Sequence, residues 1–201
     1  MSAAKLVARK IPYKKSLPPL IGMTDPVRLA DPQKLLSHLP KGSVLVWRLF
    51  GATPTREDIG VLARMVAGQK CLLLIAGHGR GFQPHFAHGT HLPEGALARS
   101  SFRSRARPGL VTAAAHSERA LHAAKRAGVD AVLVSPVFAT ETHGSAIPLG
   151  VIRFAALARR ARELGLGVYA LGGMTPAARK RLRGIPMDGI AGIGFFSASQ
   201  A

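Results

Sequence analysis

The chain of 201 residues has a single cysteine, Cys71, so no disulfide framework can form within it, and a reducing compartment, the cytoplasm, is expected. Cys71 opens an apolar run to Ile75, which reads as buried core rather than as a reactive thiol; nothing nearby would lower its pKa. No apolar run approaches the roughly 20 residues of a membrane span. The lysines of the N-terminus are not followed by an apolar segment, so no secretory signal is expected. Aromatic residues are scarce at 5%, which leaves little for stacking on bases, and no RRM, KH or zinc-finger pattern occurs. Acidic residues are also few: 10 against 28 Lys and Arg, a net charge of +18.

That charge has two physical readings. It can attract nucleic acid through phosphate contacts, or it can be a solvated basic surface whose field favours small phosphorylated ligands. The bases are dispersed in four groups, Lys5–Lys15, Arg99–Arg107, Arg153–Arg162 and Arg179–Arg183, which speaks against specific nucleic-acid recognition.

A hydrophobic content of 47% marks a globular chain, dominated by Ala, Leu, Val and Gly. Residues 1–16 read as a basic arm and 17–201 as one domain. Short apolar strands are expected at Leu20–Met23, Val44–Leu49, Cys71–Ile75, Thr90–Leu92, Leu110–Ala115, Ala131–Ser135, Gly167–Leu171 and Gly189–Ile193. Helical patterns fall between them, at Pro32–Leu39, after Thr53-Pro54, after Ser117, over Leu149–Leu164, after Thr175-Pro176, and from Phe195 onward. Eight strands alternating with helices argue for an α/β fold, a parallel (β/α)8 barrel, with a doubly wound open sheet as the alternative.

Barrels keep their chemistry in the loops that follow the strands. Three such loops stand out: Val134–Gly150, Leu171–Pro176 and Ala191–Gly194. Gly172, Gly173, Gly192 and Gly194 offer backbone N–H groups with no side chain in the way, which suits a phosphate; their alternative role is simply to make tight turns. His116, at the end of the fifth strand, is a candidate general acid/base, or else a helix-entry residue bonded to a neighbouring loop. His143 in the long loop can meet a phosphate or carboxylate. His85, His88 and His91 recur every three residues, but Pro84 and Gly89 interrupt any helix and no carboxylates join them, so a metal site is not expected. Gly77–Gly81 is a glycine-rich stretch without the strand-to-helix context of a phosphate loop.

Val134-Ser-Pro-Val-Phe-Ala-Thr-Glu-Thr142, Pro148-Leu-Gly150, Leu171-Gly-Gly-Met-Thr-Pro176 and Asp188-Gly-Ile-Ala191 together resemble the thiamine phosphate synthase / TenI family, from about Thr24 to Phe196 and most clearly after Ala113. The resemblance implies a TIM barrel. It implies either a magnesium-assisted synthase, joining a pyrimidine pyrophosphate to a thiazole phosphate, or a metal-free thiazole tautomerase. The synthase pattern is broken here. Of its Gln-x-Arg-x-Lys only Arg48 remains; its Asn-Asp pair falls on Ala76-Gly77, its magnesium-binding Asp on Ala96, and its two serines on Ala114 and Gly194. Its Thr-x-Thr-Lys becomes Thr140-Glu-Thr142-His143, while the His-Ser after strand five is kept as His116-Ser117.

The resemblance therefore implies a ligand like thiazole phosphate. Arg48, Thr140, Thr142 and His143 would touch it, the glycines would hold its phosphate, and His116 would move a proton without a cofactor. Magnesium enters only if a synthase with a rebuilt pyrophosphate site is the true reading. Two non-enzymatic readings stand beside these: a phosphate-ligand sensor without catalysis, and a basic nucleic-acid-associated protein. A homodimer is implied by the resemblance alone.

Overall fold

The computed structural model describes residues 16–49, 51, 55–77, 86–98, 109–140 and 147–193. Eight strands alternate with helices: β1 (Leu20–Met23), α1 (Pro32–His38), β2 (Val44–Trp47), α2 (Arg56–Gly68), β3 (Leu72–Ala76), β4 (Gly89–Leu92), α3 (Glu94–Leu97), β5 (Leu110–Ala115), α4 (Glu118–Ala127), β6 (Ala131–Val134), α5 (Gly150–Glu163), β7 (Gly167–Leu171), α6 (Pro176–Arg181) and β8 (Gly189–Gly192). Every neighbouring pair is parallel, and β8 pairs with β1 through Leu20↔Ile190, Ile21↔Ala191 and Gly22↔Gly192. The sheet is therefore a closed (β/α)8 barrel, and the open sheet is excluded.

Two apolar layers follow from the period of two along each strand. One set of residues fills the barrel interior: Val44 and Val46 of β2, Ala131 and Leu133 of β6, and Tyr169 of β7. The alternate residues face the helices. Leu45 and Trp47 pack with Leu35 and Leu36 of α1 and Leu62 and Val66 of α2. Val132, Val134, Val168 and Ala170 pack with Leu121, Phe154 and Ala158 of α4 and α5. Strands buried on both faces are mostly apolar, which is why most are legible as short Val/Leu/Ala runs; β4, with buried Thr90 and His91, is the exception. Cys71 is buried just ahead of β3, and burial pushes its thiol up from the ordinary value, as suits a core residue.

The helices begin where side chains satisfy their first N–H groups. Asp31, Ser117 and Thr175 cap α1, α4 and α6. Gly128, in the left-handed region at φ +72°, ends α4. The cap of α2 corrects the sequence expectation. Thr55, not Thr53, is the cap: its Oγ accepts from Asp58 N–H while Asp58 Oδ2 accepts from Thr55 N–H, both at 3.1 Å. This reciprocal capping box satisfies two donors at once and sets the start two residues later than the Thr-Pro signal suggests. The one-turn helix α3 has no counterpart in the sequence expectation. The helix anticipated from Phe195 onward, residues 1–15 of the basic arm 1–16 and the basic loop 99–108 lie outside the described residues.

Barrel closure rests on a tight approach at the N-terminal end. Ile190 N–H donates to Pro19 O at 3.1 Å, and the buried Tyr169 hydroxyl donates to Pro18 O at 2.7 Å. A Cβ on Gly189 would lie 2.0 Å from that Pro19 oxygen, so the chain before β1 passes where only glycine leaves room. A Gly189→Ala variant is expected to lose about 1–3 kcal/mol or more of stability, as overpacking does. Urea denaturation checks this; an unchanged midpoint would mean that the closure relaxes freely.

Candidate functional site

The C-terminal ends of the strands surround a cavity of about 340 Å³. Met23 comes from the end of β1, Arg48 and Leu49 follow β2, and Ala76 and Gly77 close β3. His91 and Pro93 come from the β4 end, Ala114 and His116 from β5, Ser135 from just past β6, and Leu171 from β7. This is the face on which barrels of this kind carry their chemistry.

Arg48 is held firmly. Its Nε donates to Thr24 O at 2.7 Å, its N–H donates to Thr24 Oγ1 at 2.8 Å, and its guanidinium pairs with Asp25 at 3.2 Å. Asp25 is itself buried and accepts from the N–H groups of Val27 and Arg28. Burial draws the Arg48 guanidinium below its ordinary value, and Asp25 opposes that. A guanidinium nevertheless stays charged in a protein. The cavity wall therefore carries a fixed cation, placed by the first two strands.

His91 forms part of the same wall and is buried, with Nδ1 2.9 Å from Thr112 Oγ1. Strand alternation puts it inward: Leu92 next to it packs outward among the helices. Burial first, and then the nearby Arg48 charge, lower its pKa to about 4, so it is neutral at ordinary pH. His88 is employed differently: its Nδ1 accepts from Leu73 N–H at 3.1 Å. Among the described residues no three His, Cys, Asp or Glu side chains gather to hold a metal; His85 lies outside them.

His116 stands at the rim and is 49% exposed. Its Nδ1 lies 2.5 Å from the Ser135 carbonyl and 3.3 Å from the Ser135 hydroxyl. A carbonyl can only accept, so Nδ1 carries the proton, and in the neutral ring the lone pair falls on Nε2. The His116 N–H donates to Glu94 Oε2 at 2.8 Å, and the same oxygen is 3.9 Å from Nε2.

Gly172 and Gly173 sit on the adjoining loop at φ +94° and +63°. Both glycines also have a packing reason. A Cβ on Gly172 would meet Pro136 at 2.9 Å, and one on Gly173 would meet Ala139 O at 2.4 Å. The loop after β7 lies against the loop after β6, joined by Val137 N–H to Leu171 O at 2.9 Å and Phe138 N–H to Gly172 O at 3.1 Å.

The structure thus brings Arg48 and His116 to one cavity. Thr140, Gly172, Gly173 and Gly192 stand on the neighbouring loops and strand end and are not part of that lining. Thr142, His143, Gly194 and residues 78–81 of the glycine-rich stretch lie outside the described residues. Sequence reasoning passed over His91 as a cavity residue, and it passed over Glu94 and Ser135. His91 had a signal in the inward phase of β4. Glu94 and Ser135 had none, because their partnership with His116 spans 22 and 19 residues.

Magnesium takes hard oxygen ligands, mostly carboxylates. The described lining contains no carboxylate. Asp25 is committed to Arg48, Glu94 spends Oε2 on the His116 N–H, and Ala96 is buried in the core against α4 and its neighbours. Ala76, Gly77 and Ala114 supply no side-chain oxygen. The described residues do not fit the ion.

A closed parallel barrel with a cationic, histidine-bearing mouth is the class of protein defined here. Residues 51–196 match the family model TMP-TENI, thiamine monophosphate synthase, and the chain belongs to that family. It is 34% identical over 111 residues to "Putative thiamine-phosphate synthase 2" of Aquifex aeolicus (strain VF5), covering 55% of this chain and 58% of that protein. The match therefore spans little more than half of that relative. Among solved structures, thiamine phosphate pyrophosphorylase from Pyrococcus furiosus superposes with a TM-score of 0.63 at 20% identity, over 90% of this chain and 89% of that one. An HpcH/HpaI aldolase from Desulfitobacterium hafniense DCB-2 superposes with a TM-score of 0.58 at 12% identity, over 87% and 85%. At these identities the structural likeness concerns the fold alone. No helix among the described residues is long and apolar enough to cross a membrane.

The buried His91 has a measurable consequence. Its folded pKa is about 4 against an ordinary 6.5, so between those values the unfolded chain binds the proton and the folded chain does not. Stability present above pH 6.5 is lost as pH falls toward 4, by roughly 3 kcal/mol for this one group. Urea denaturation at pH 7 and pH 5 is expected to show the loss, and a His91→Gln variant to lose less over the same interval. Equal losses in the two proteins would place the proton uptake elsewhere.

Proposed function

We propose that the barrel mouth binds a small phosphorylated heterocycle resembling thiazole phosphate, and that His116 carries a proton between two of its atoms. The observation that supports this reading is the tautomer of His116. With Nδ1 committed to the Ser135 carbonyl, Nε2 is the basic atom, on a residue that lines the cavity. A tautomerisation needs little else. A proton leaves one ligand atom for Nε2 and is returned to another, and no group departs. Arg48 meets an anionic group of the ligand. The N–H groups of Gly172 and Gly173, with Gly192 and Gly194 from the next strand end, receive the phosphate, and Thr140, Thr142 and His143 complete the contacts. No metal or organic cofactor is required.

A second reading, condensation as in a thiamine phosphate synthase, is favoured by the descriptions of the relatives and by the position of Arg48. It needs the charge of a departing pyrophosphate to be neutralised. The described lining offers Arg48 for that and no magnesium-binding carboxylate, so proton transfer is the preferred reading.

Thermal-shift titration separates the two. A ligand at 100 times its dissociation constant adds about 2.7 kcal/mol of stability, enough to raise the melting temperature visibly. A shift with thiazole phosphate or its carboxylate alone is expected. A shift seen only with magnesium and pyrophosphate present would transfer the case to condensation. A His116→Gln variant is expected to keep the thermal shift and lose about 10²- to 10⁴-fold in turnover of the thiazole carboxylate phosphate, the range of general acid–base catalysis. Unchanged turnover would sink the role of His116.

A further inference from the structure

We propose that Glu94 is a positioning residue of the mouth: it clamps the main chain of His116 and stands as a fixed counter-charge on the Nε2 side of the imidazole. The inference rests on reading His116 as the proton carrier.

Glu94 opens the one-turn helix α3, directly after Pro93 at the cavity wall. A single oxygen, Oε2, serves His116 twice, accepting its N–H at 2.8 Å and facing its Nε2 at 3.9 Å. The ring is tied from the opposite side by Ser135 through Nδ1. His116 is thereby held by the end of β4 on one side and the end of β6 on the other, and its basic nitrogen is turned toward a carboxylate. In a chain with 28 Lys and Arg against 10 Asp and Glu, a carboxylate beside the rim histidine is the scarcer neighbour. Most other described carboxylates serve an arginine or a backbone donor: Asp25 and Arg48, Glu118 and Glu163 with Arg160, Asp188 with Arg162, and Asp58 and Asp130 with the N–H groups of Thr55 and Val111.

The chemistry follows from the charge balance of the step. When Nε2 takes a proton from the ligand, the imidazole becomes a cation on a cavity lining that already carries Arg48. A carboxylate 3.9 Å from the nitrogen that gains the proton offsets that charge without moving. The proton then returns to a second ligand atom and the ring is neutral again. Glu94 neither receives the proton nor touches the ligand. Because the Glu94 side chain is 36% exposed and the imidazole 49%, solvent screens the pair and the effect is moderate.

The test uses the full chain and two variants. Glu94→Gln keeps an oxygen to accept the His116 N–H and removes the charge; Glu94→Ala removes both. With thiazole carboxylate phosphate as substrate, Glu94→Gln is expected to lower kcat about fivefold, the scale of a partly exposed charge pair, with KM and the ligand-induced thermal shift unchanged. Glu94→Ala is expected to lower kcat further. A loss confined to KM, or an unchanged kcat in Glu94→Gln, overturns the counter-charge.

The clamp has a readout independent of turnover. In ¹H–¹⁵N spectra of the protein without ligand, the His116 amide proton is expected downfield in the wild type, because its acceptor is charged, and upfield in Glu94→Gln. An unmoved His116 amide overturns the clamp. If the wild type itself fails to turn over the substrate, the proposed function is at fault, and the amide shift alone decides for or against Glu94.

Discussion

The pairing of β8 with β1 is the constraint on which the molecule depends. An open parallel sheet leaves two edges and spreads its strand ends along a line. Closing it removes both edges and gathers the ends of all eight strands around one opening. Arg48, His91, His116 and Ser135 come from four different strand ends, and only closure makes them neighbours. The closure is close-fitting: Gly189 passes the Pro19 carbonyl with no room for a side chain, and Tyr169 reaches from the interior to Pro18. The function of the mouth is thus underwritten at the opposite end of the barrel.

Charge is divided unevenly between the wall and the rim of the cavity. Arg48 is fixed by Thr24 and Asp25, and His91 is kept neutral by burial and by Arg48 itself. The cavity therefore holds one permanent cation and one neutral polar ring, with the rim residue His116 beside them. Much of the remaining basic charge, such as Arg119, Lys125, Arg126, Arg153 and Arg179, is on the outer helices and exposed. At physiological ionic strength the screening length is about 8 Å, so these outer charges contribute little to a bound ligand and more to the protein's behaviour as a colloid.

Much of the fold was legible in the sequence for a definite reason. Buried parallel strands leave apolar runs bounded by turn residues, and β5 and β7 begin and end where those runs do. The start of α2 was displaced because Thr53-Pro54 and Thr55 compete as starting signals, and the reciprocal bond with Asp58 decides between them. Helix α3 escaped because a single turn has no periodicity to read. In the site, His116 was legible as a polar residue ending an apolar strand, and Arg48 through its family pattern. The orientation of the His116 ring was not, because the Ser135 carbonyl and Glu94 that set it come from other strand ends. Pairing across a barrel is a tertiary fact, and no local pattern encodes it.

The loops after β6 and β7 are joined beyond the ends of their strands by two backbone hydrogen bonds, by glycines that admit no Cβ, and by Arg181 lying 4.7 Å over the Phe138 ring. Ser135 belongs to the first of these loops, and it is Ser135 that orients His116. In thermodynamic terms this part of the wall is preorganised: its conformational entropy is given up during folding, so a ligand need not supply it again on binding. The same joining limits how the wall can adapt. Neither loop can shift without carrying the other along, and with it the Ser135 carbonyl that holds the His116 ring, so the two loops and the histidine move as one mechanical unit.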